Sequence, residues 1–215
     1  MSETQSSART PRTPVTADDL EEVVRLAVAA FRGAPEDRWG KPAGSLEWDC
    51  WETVEHLADD MFCYALQLAP PAPPQTGYLP TVLSELRPGG PKETIHVERG
   101  DGPDGLIQVL EGCTGLLAAV VRTKPPRTRG YHTFGLADPE GFAAMGIVEA
   151  LVHAHDIAQG LGVAWEPPAD LCGRTLARLF PDVPADGDPY RALLRATGRL
   201  ESDGAPWRWH SAPLD

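Results

Sequence analysis

The sequence has few cysteines, and none of them forms a paired metal-binding or redox motif. The four are Cys50, Cys63, Cys113 and Cys172, and no two stand in a C-x-x-C arrangement. Zinc ribbons and thioredoxin-like redox centres need that spacing, so both are excluded. Together with a polar N-terminus, this use of cysteine predicts a cytoplasmic protein with reduced thiols.

Long hydrophobic runs and clusters of basic residues are also missing. The N-terminal stretch MSETQSSARTPRTP lacks the apolar core of a signal peptide, and no apolar run has the length expected of a membrane span. The formal net charge is -12, from 31 acidic and 19 basic residues. Because a polyanion would be repelled, neither nucleic acid nor an anionic membrane is expected as a partner. A small-molecule substrate is expected, for a monomer or a homodimer.

What the chain does contain is helical periodicity. Thr16 with Asp19, and Asp49 with Glu52, form capping-box patterns ahead of two amphipathic stripes. The prolines of residues 69–74 end the second stripe, because proline cannot donate to the helix ladder. Both segments are therefore predicted to be helices.

Two further long helices follow a crossover that extends to about residue 102. Apolar residues keep helical spacing over 106–121, and another helix is predicted over 138–161 with Gly162 as its C-cap. A short extended piece is expected at 94–98. Two shorter helices are expected at 168–179 and 188–197.

These elements predict an all-α fold, a four-helix bundle with a long crossover and a short C-terminal extension. Strand patterns are scarce and no internal repeat is present. Residues 1–15 are expected to be a disordered tail, 16–165 a metal-binding bundle, and 166–215 an extension packed on it.

The fourth long helix carries a polar strip on an otherwise aliphatic segment. Glu149, His153 and Asp156 lie close to one meridian of that helix. A Glu and a His one turn apart can bind one divalent metal, and Asp156 could orient the imidazole from behind. The alternative is the wetted edge of an ordinary helix, so a metal site needs a third ligand from elsewhere.

Periodicity alone does not identify that third ligand. It places His56 on the solvent side of the second helix, opposite the apolar stripe. Spacing leaves several histidines open as candidates: His56, His96, His132 and His155.

A set of sequence motifs is more specific than this spacing about the third ligand. Trp48 precedes His56, which lies in a V-x-H-L context, and E-x-x-x-H-x-x-D-x-A-x-x-x-G follows later. The second motif falls on these residues: Glu149, His153, Asp156, Ala158 and Gly162. The pattern resembles the DinB-like superfamily, in particular the N-terminal domain of the mycothiol-dependent maleylpyruvate isomerases of actinobacteria. The C-terminal segments PYRALLRATGR and WRWHSAPL are similar to that group too.

The resemblance implies a four-helix bundle that holds one divalent metal, usually zinc or nickel, on His56, Glu149 and His153. It also implies an enzyme that uses mycothiol or a related thiol, as a transferase or isomerase of a small electrophilic metabolite. A metal-bound thiol would lose its proton and attack the electrophile. Alternatives are a metal-dependent hydrolase or lyase, a small-molecule-binding resistance protein, and a bundle that has lost its metal.

The chain departs from the isomerase after Pro167, where about 50 residues remain. That is short for the isomerase's second domain, so maleylpyruvate itself is in doubt as the substrate. Arg208 is a candidate contact for an anionic substrate, with an exposed arginine as the competing interpretation.

Other polar side chains are interpreted as structural. Asp60 is expected on the helix surface, Cys63 as a small apolar residue rather than a nucleophile, and His155 away from the metal. The remaining candidates lie in the loop after the third helix and are expected to be solvated: Arg127, Arg129, Tyr131 and His132.

Overall fold

In the computed structural model, which describes residues 12–184, 187–200 and 208–214, the chain is built from helices. They are α1 (Ala17–Phe31), α2 (Cys50–Leu68), α3 (Gly102–Thr123), α4 (Pro139–Leu161), α5 (Ala169–Leu179) and α6 (Pro189–Ala196). Only isolated bridges, such as Ser84 with Glu93, occur among the described residues. The all-α class is therefore confirmed, and no strand forms at 94–98.

The helix ends follow from local capping chemistry. Both predicted capping boxes form, Thr16 with Asp19 and Asp49 with Glu52. Gly162 ends α4 in the left-handed conformation, with a φ of 74° that favours glycine. The predicted limits of the helices consequently agree closely with those in the structure.

The four long helices share one core. Helices α1 and α2 lie diagonally, and each packs against both α3 and α4. Gly146 stands at the centre of α4, where an added Cβ would lie 3.0 Å from side chains of α1, α2 and α3. Because neighbours enclose it on most sides, α4 is buried along nearly its whole length.

Helix α3 has the most membrane-like composition. Arg99–Thr123 is long and apolar enough to cross a membrane by length and composition alone, so the expectation that no run has that length needs correction here. Its side chains Leu106, Leu110 and Leu117 are fully buried, and it packs against α1 and α2. Burial in the core accounts for part of this apolar composition, since 39% of the apolar window is buried and Leu116 is 53% exposed.

The C-terminal helices are anchored through one buried arginine. Helix α5 packs against α4 and α6. The side chain of Arg178 is fully buried, and it donates to Asp138 at the start of α4 and to the carbonyls of His210 and Ser211. This clamp joins α5, α4 and the C-terminal segment.

The predicted division of the chain stays a prediction, since its first eleven residues lie outside the described ranges. Within residues 12–15, Arg12 forms an ion pair with Glu140 of α4, and Val15 is buried. The end of the predicted tail thus contacts the helices.

The crossover between α2 and α3 lies along α2. Four polar residues of α2 are buried and bonded to it: Glu52 to Arg87, Glu55 to the Val97 N–H, Asp59 to the Thr94 and Ile95 N–H groups, and Gln67 to the Leu79 N–H. Helix α2 is therefore covered on two faces, the apolar one by helices and the polar one by the crossover.

Candidate metal centre

Two helices bring together the three residues that the motifs singled out. His56 of α2 and Glu149 and His153 of α4 each offer a ligand atom, and these atoms lie within 4.8 Å of one another. The two imidazole centroids are 5.1 Å apart. Glu149 and His153 are 4% and 3% exposed, and 23% of the His56 side chain is exposed. The group could hold a metal ion.

The position of His56 corrects the expectation from periodicity. The ring of His56 lies between the crossover, through Glu93, and α4, through the ring of His153, and is largely covered by both. The indole of Trp48 also packs on the ring, with centroids 4.8 Å apart. Helical periodicity detects only an apolar face, so it does not reveal a second, polar face that is also buried.

Each histidine of the group has a carboxylate beside its Nδ1 atom. The Nδ1 of His56 lies 2.7 Å from Glu93 Oε1, and the Nδ1 of His153 lies 3.3 Å from Asp156 Oδ2. Asp156 in turn accepts from Arg199 Nη2 at 2.9 Å. At His56, the carboxylate on Nδ1 favours the tautomer that leaves Nε2 for a cation. At His153, Nδ1 makes no hydrogen bond among the described residues. Asp156 thus lies beside His153, and its expected role in orienting that imidazole stays a prediction.

Only one oxygen of the Glu149 carboxylate has a hydrogen-bond partner among the described residues. Its Oε1 accepts from the Tyr64 hydroxyl at 3.3 Å, whereas its buried Oε2 has no hydrogen-bond partner among the described residues. That Oε2 lies 3.3 Å from His153 Nε2. Buried acceptors are rarely left unpaired, so an orphan oxygen beside two imidazoles fits a cation. Two imidazoles and a carboxylate suit zinc or nickel.

The electrostatics of the group favour positive charge. Burial by itself lowers the pKa of His56, but Asp60, Glu93 and Glu149 more than offset it and raise that pKa to about 10. Burial likewise opposes ionisation of Glu149, yet His153 and His56 lower its pKa below the ordinary value. Surroundings that stabilise an imidazolium also stabilise a metal cation.

Asp60 does not lie on the helix surface as expected. It adjoins His56, with Oδ2 3.4 Å from Nε2, and this oxygen is buried without a hydrogen-bond partner among the described residues. Burial, reinforced by Glu149 and Glu93, raises the pKa of Asp60 to about 8. Burial also raises the pKa of Glu93 to about 7.

A cavity of about 360 Å³ opens beside this group. His56, Asp60 and Glu93 belong to both the cavity wall and the cluster around the metal ligands. Other walls come from α2, the crossover and the start of α4, and they are mainly apolar, with aromatic rings from Tyr64, Tyr78 and Phe142. His56 therefore connects the candidate metal-binding set to a cavity of the size that small molecules occupy.

His132 is buried rather than solvated. It is 6% exposed, it lines the cavity, and its ring stacks on Trp209 with centroids 5.5 Å apart. Its Nδ1 accepts from the Phe134 N–H and lies 2.8 Å from Ser211 Oγ. Burial lowers the pKa of His132 to about 4, so the ring is neutral near pH 7.

The basic candidates lie away from this cavity. Arg208 is exposed over the Phe134 ring and lines a different cavity, which agrees with the competing interpretation of an exposed arginine. Arg127 is exposed, and Arg129 donates to the carbonyls of Pro126 and Thr128. None of them is among the residues that line the pocket.

The surroundings of Cys63 and His155 agree with the expectation that neither takes part in the metal site. Burial and the nearby Asp59 raise the pKa of Cys63 to about 12, so this thiol is a poor nucleophile. His155 contacts Gln159 and the Tyr190 hydroxyl, outside the metal-binding set.

Sequence reasoning missed three residues that support the site: Tyr64, Glu93 and Arg199. Tyr64 could have been found, because His56, Asp60 and Tyr64 recur every four residues along one side of α2. No periodic signal identifies Glu93 or Arg199, since both come from segments whose path only the tertiary structure defines.

No family model, no curated protein and no solved structure matches this chain. The function of this chain is therefore inferred from its residues and their geometry.

Proposed function

We propose that this chain is a divalent-metal-dependent enzyme of the DinB-like type, with α1–α4 as its four-helix bundle. Its expected activity is that of a thiol transferase or isomerase which joins mycothiol, or a similar low-molecular-weight thiol, to a small electrophile. The resemblance of the motifs suggests the thiol, and the geometry of the site supports the metal.

One observation carries the proposal. His56, Glu149 and His153 come from two helices, their ligand atoms lie within 4.8 Å of one another, and His56 also lines a cavity of about 360 Å³. A structural zinc site normally has four protein ligands, whereas three protein ligands beside a pocket are typical of a catalytic site with an open position.

The contacts of each site residue indicate its role in the proposed enzyme. His56, Glu149 and His153 would hold the metal, which when bound supplies a Lewis acid that lowers the pKa of a thiol or water. Glu93 orients the His56 imidazole, Asp156 lies beside that of His153, and the Tyr64 hydroxyl donates to Glu149. The apolar walls of the cavity bind the electrophile and exclude bulk water.

Metal content tests the first half of the proposal. We expect about one equivalent of zinc or nickel in the protein purified without a histidine tag, and a large loss of metal in His56→Ala. The matched control is His96→Ala, which removes a crossover histidine outside the metal-binding set. Absence of metal from the unmodified protein, or equal content in His56→Ala, would refute a site at these residues.

Turnover with a generic electrophile tests the second half. Metal-loaded protein is mixed with chlorodinitrobenzene, with and without mycothiol, and the thioether product is measured. We expect product only when the thiol, the metal and His153 are all present. Metal-dependent hydrolysis without any thiol would favour the hydrolase alternative, and a ligand bound but returned unchanged would favour a binding protein.

A further inference from the structure

His132 is a polar side chain of the cavity wall that the proposed metal centre does not use. It lies in the loop between α3 and α4, it is 6% exposed, and it lines the cavity of about 360 Å³. It is not one of the three candidate metal ligands. The ring of Trp209 stacks on its imidazole, so the C-terminal segment holds the ring in place. A polar group fixed in a pocket wall can orient a ligand.

The hydrogen bonds of this imidazole identify the nitrogen that carries the proton. Its Nδ1 accepts from the backbone N–H of Phe134 at 3.2 Å and lies 2.8 Å from the Oγ of Ser211. A backbone N–H can only donate, so Nδ1 is the unprotonated nitrogen and the single proton of a neutral ring is on Nε2. Burial keeps the ring neutral near pH 7, because it lowers the pKa of His132 to about 4.

The Nε2–H group still has its hydrogen to donate. Among the described residues, the hydrogen bonds of this ring all involve Nδ1, and Nε2, unlike the Oε2 of Glu149, is not sealed from solvent. His132 lines the cavity beside His56 and is not part of the wall of the cavity at Arg208. The accessible edge of the ring therefore faces the first of these cavities, where it offers a fixed, uncharged hydrogen-bond donor.

Other polar side chains of the same wall are already engaged. The Gln67 amide donates to the carbonyl of Gly77 and accepts from the N–H of Leu79. The hydroxyl of Tyr64 donates to Glu149. These groups complete their own hydrogen bonds within the protein, so they gain little from a ligand.

Tyr78 offers an alternative donor. Its hydroxyl accepts from the N–H of Thr133, which leaves its own hydrogen free, and its ring centroid lies 6.3 Å from that of His132. Tyr78 is 56% exposed, however, so water can pair with this hydroxyl. A ligand gains more from the buried donor of His132, because bulk water reaches that donor less easily.

We infer that the Nε2–H group of His132 donates a hydrogen bond to a carbonyl oxygen of the substrate, and that the cavity selects electrophiles which carry this acceptor. The inference rests on the proposed function, since it concerns the electrophile that the thiol attacks. A carbonyl group accepts from an uncharged donor and also makes a neighbouring carbon electrophilic. A site that hydrogen-bonds one group of its substrate discriminates against an analogue that lacks this group.

A matched pair of probes tests the contact. Acetophenone and α-methylstyrene have nearly the same shape, but the alkene has a CH2 group where the ketone has its oxygen. Calorimetry gives the Kd of each, and the ratio of the alkene's Kd to the ketone's is compared between variants. We expect this ratio to fall about five- to tenfold in His132→Phe, which keeps an aromatic ring but has no N–H. His132→Gln, whose side-chain amide also donates, should keep most of the ratio.

His96→Phe is the matched control, because His96 lines a different cavity, and it should leave the ratio unchanged. An unchanged ratio in His132→Phe, a fall in Tyr78→Phe in its place, or no saturable binding of acetophenone to the unmodified protein would overturn the inference. Binding is measured with and without added zinc, and metal content is measured on every sample. A protein that holds no metal but shows the expected ratios would refute the metal centre and support the role of His132.

Nitrogen-15 NMR gives a second measurement that needs neither ligand nor metal. The ring signals that are missing from His132→Phe identify this residue in the spectrum of the unmodified protein. Near pH 7 we expect a proton on Nε2 and none on Nδ1. A proton on Nδ1, alone or together with one on Nε2, would overturn the inference, because Nδ1 would then not accept from Phe134.

Discussion

The Nδ1 atom of His56 and the Oε1 atom of Glu93 lie 2.7 Å apart, although 37 residues separate them in the chain. This contact joins the crossover to the face of α2 that carries the candidate metal ligand. Because it occupies one ring nitrogen, it leaves Nε2 as the atom through which His56 would bind a cation. The crossover is thus part of the site.

Glu93→Gln tests that relationship. The amide keeps the size of the side chain but supplies a weaker acceptor to the imidazole, so we expect zinc affinity to fall by about 10- to 100-fold. Competition with a fluorescent chelator measures it. Glu98→Gln serves as the matched control on the same crossover and should retain full affinity. An affinity for Glu93→Gln within about twofold of the unmodified protein would mean that the contact does not support metal binding.

His153→Gln and His155→Gln form a second matched pair, since both residues lie on α4. Only His153 belongs to the metal-binding set, whereas His155 contacts Gln159 and Tyr190. We expect His153→Gln to lose the metal and His155→Gln to keep it, as measured by mass spectrometry of the intact protein under native conditions. Equal retention by both variants would contradict the assignment.

Arg178→Met should destabilise the fold. The buried guanidinium holds Asp138 and the carbonyls of His210 and Ser211, and its loss leaves a part-buried carboxylate without its cation. We expect a decrease of about 3 to 5 kcal/mol in the free energy of unfolding, measured by urea denaturation. Arg25→Met, which removes an exposed ion pair with Glu22, should leave the denaturation midpoint unchanged. Similar midpoints for both variants would show that the clamp is unimportant.

Gly160→Ala tests the close approach of α4 to the segment before α2. An added Cβ would collide with Cys50 Sγ and would lie 2.5 Å from the carbonyl oxygen of Pro42, so we expect a loss of about 1 to 3 kcal/mol. Gly115→Ala, within α3, meets no atom within 4 Å and should stabilise the helix by about 0.5 to 1 kcal/mol. Thermal and urea unfolding measure both. We expect the free energy of unfolding to fall in Gly160→Ala and to rise in Gly115→Ala. A rise in both variants would mean that α4 does not approach the segment before α2 as closely as the structure shows.

The buried His132 should make stability depend on pH. Its pKa is about 4 in the folded protein and 6.5 for an ordinary histidine, so its contribution is complete above about pH 6.5 and is lost as the pH falls toward 4. The full difference corresponds to about 3 kcal/mol. We expect His132→Phe, which cannot titrate, to lose less stability than the unmodified protein between pH 7 and 4. Parallel pH profiles from urea denaturation would argue against a neutral, buried ring.

Local sequence patterns were enough to predict the helices and two of the three candidate metal ligands. Capping boxes, prolines and Gly162 mark helix limits through local hydrogen bonding, which needs no tertiary information. The pair Glu149 and His153 was predictable for the same reason, because residues four apart on a helix share one side.

The placement of His56 and of the residues around it depends on the tertiary fold. An analysis of helical periodicity expects one buried face for each helix. Helix α2 has two, because the crossover brings N–H groups and Arg87 to its polar face. His56 and Asp60 are covered for that reason, and His132 is buried because the C-terminal segment folds back over its loop. Contacts between residues far apart in the chain depend on how the loops run, and no local pattern encodes that path.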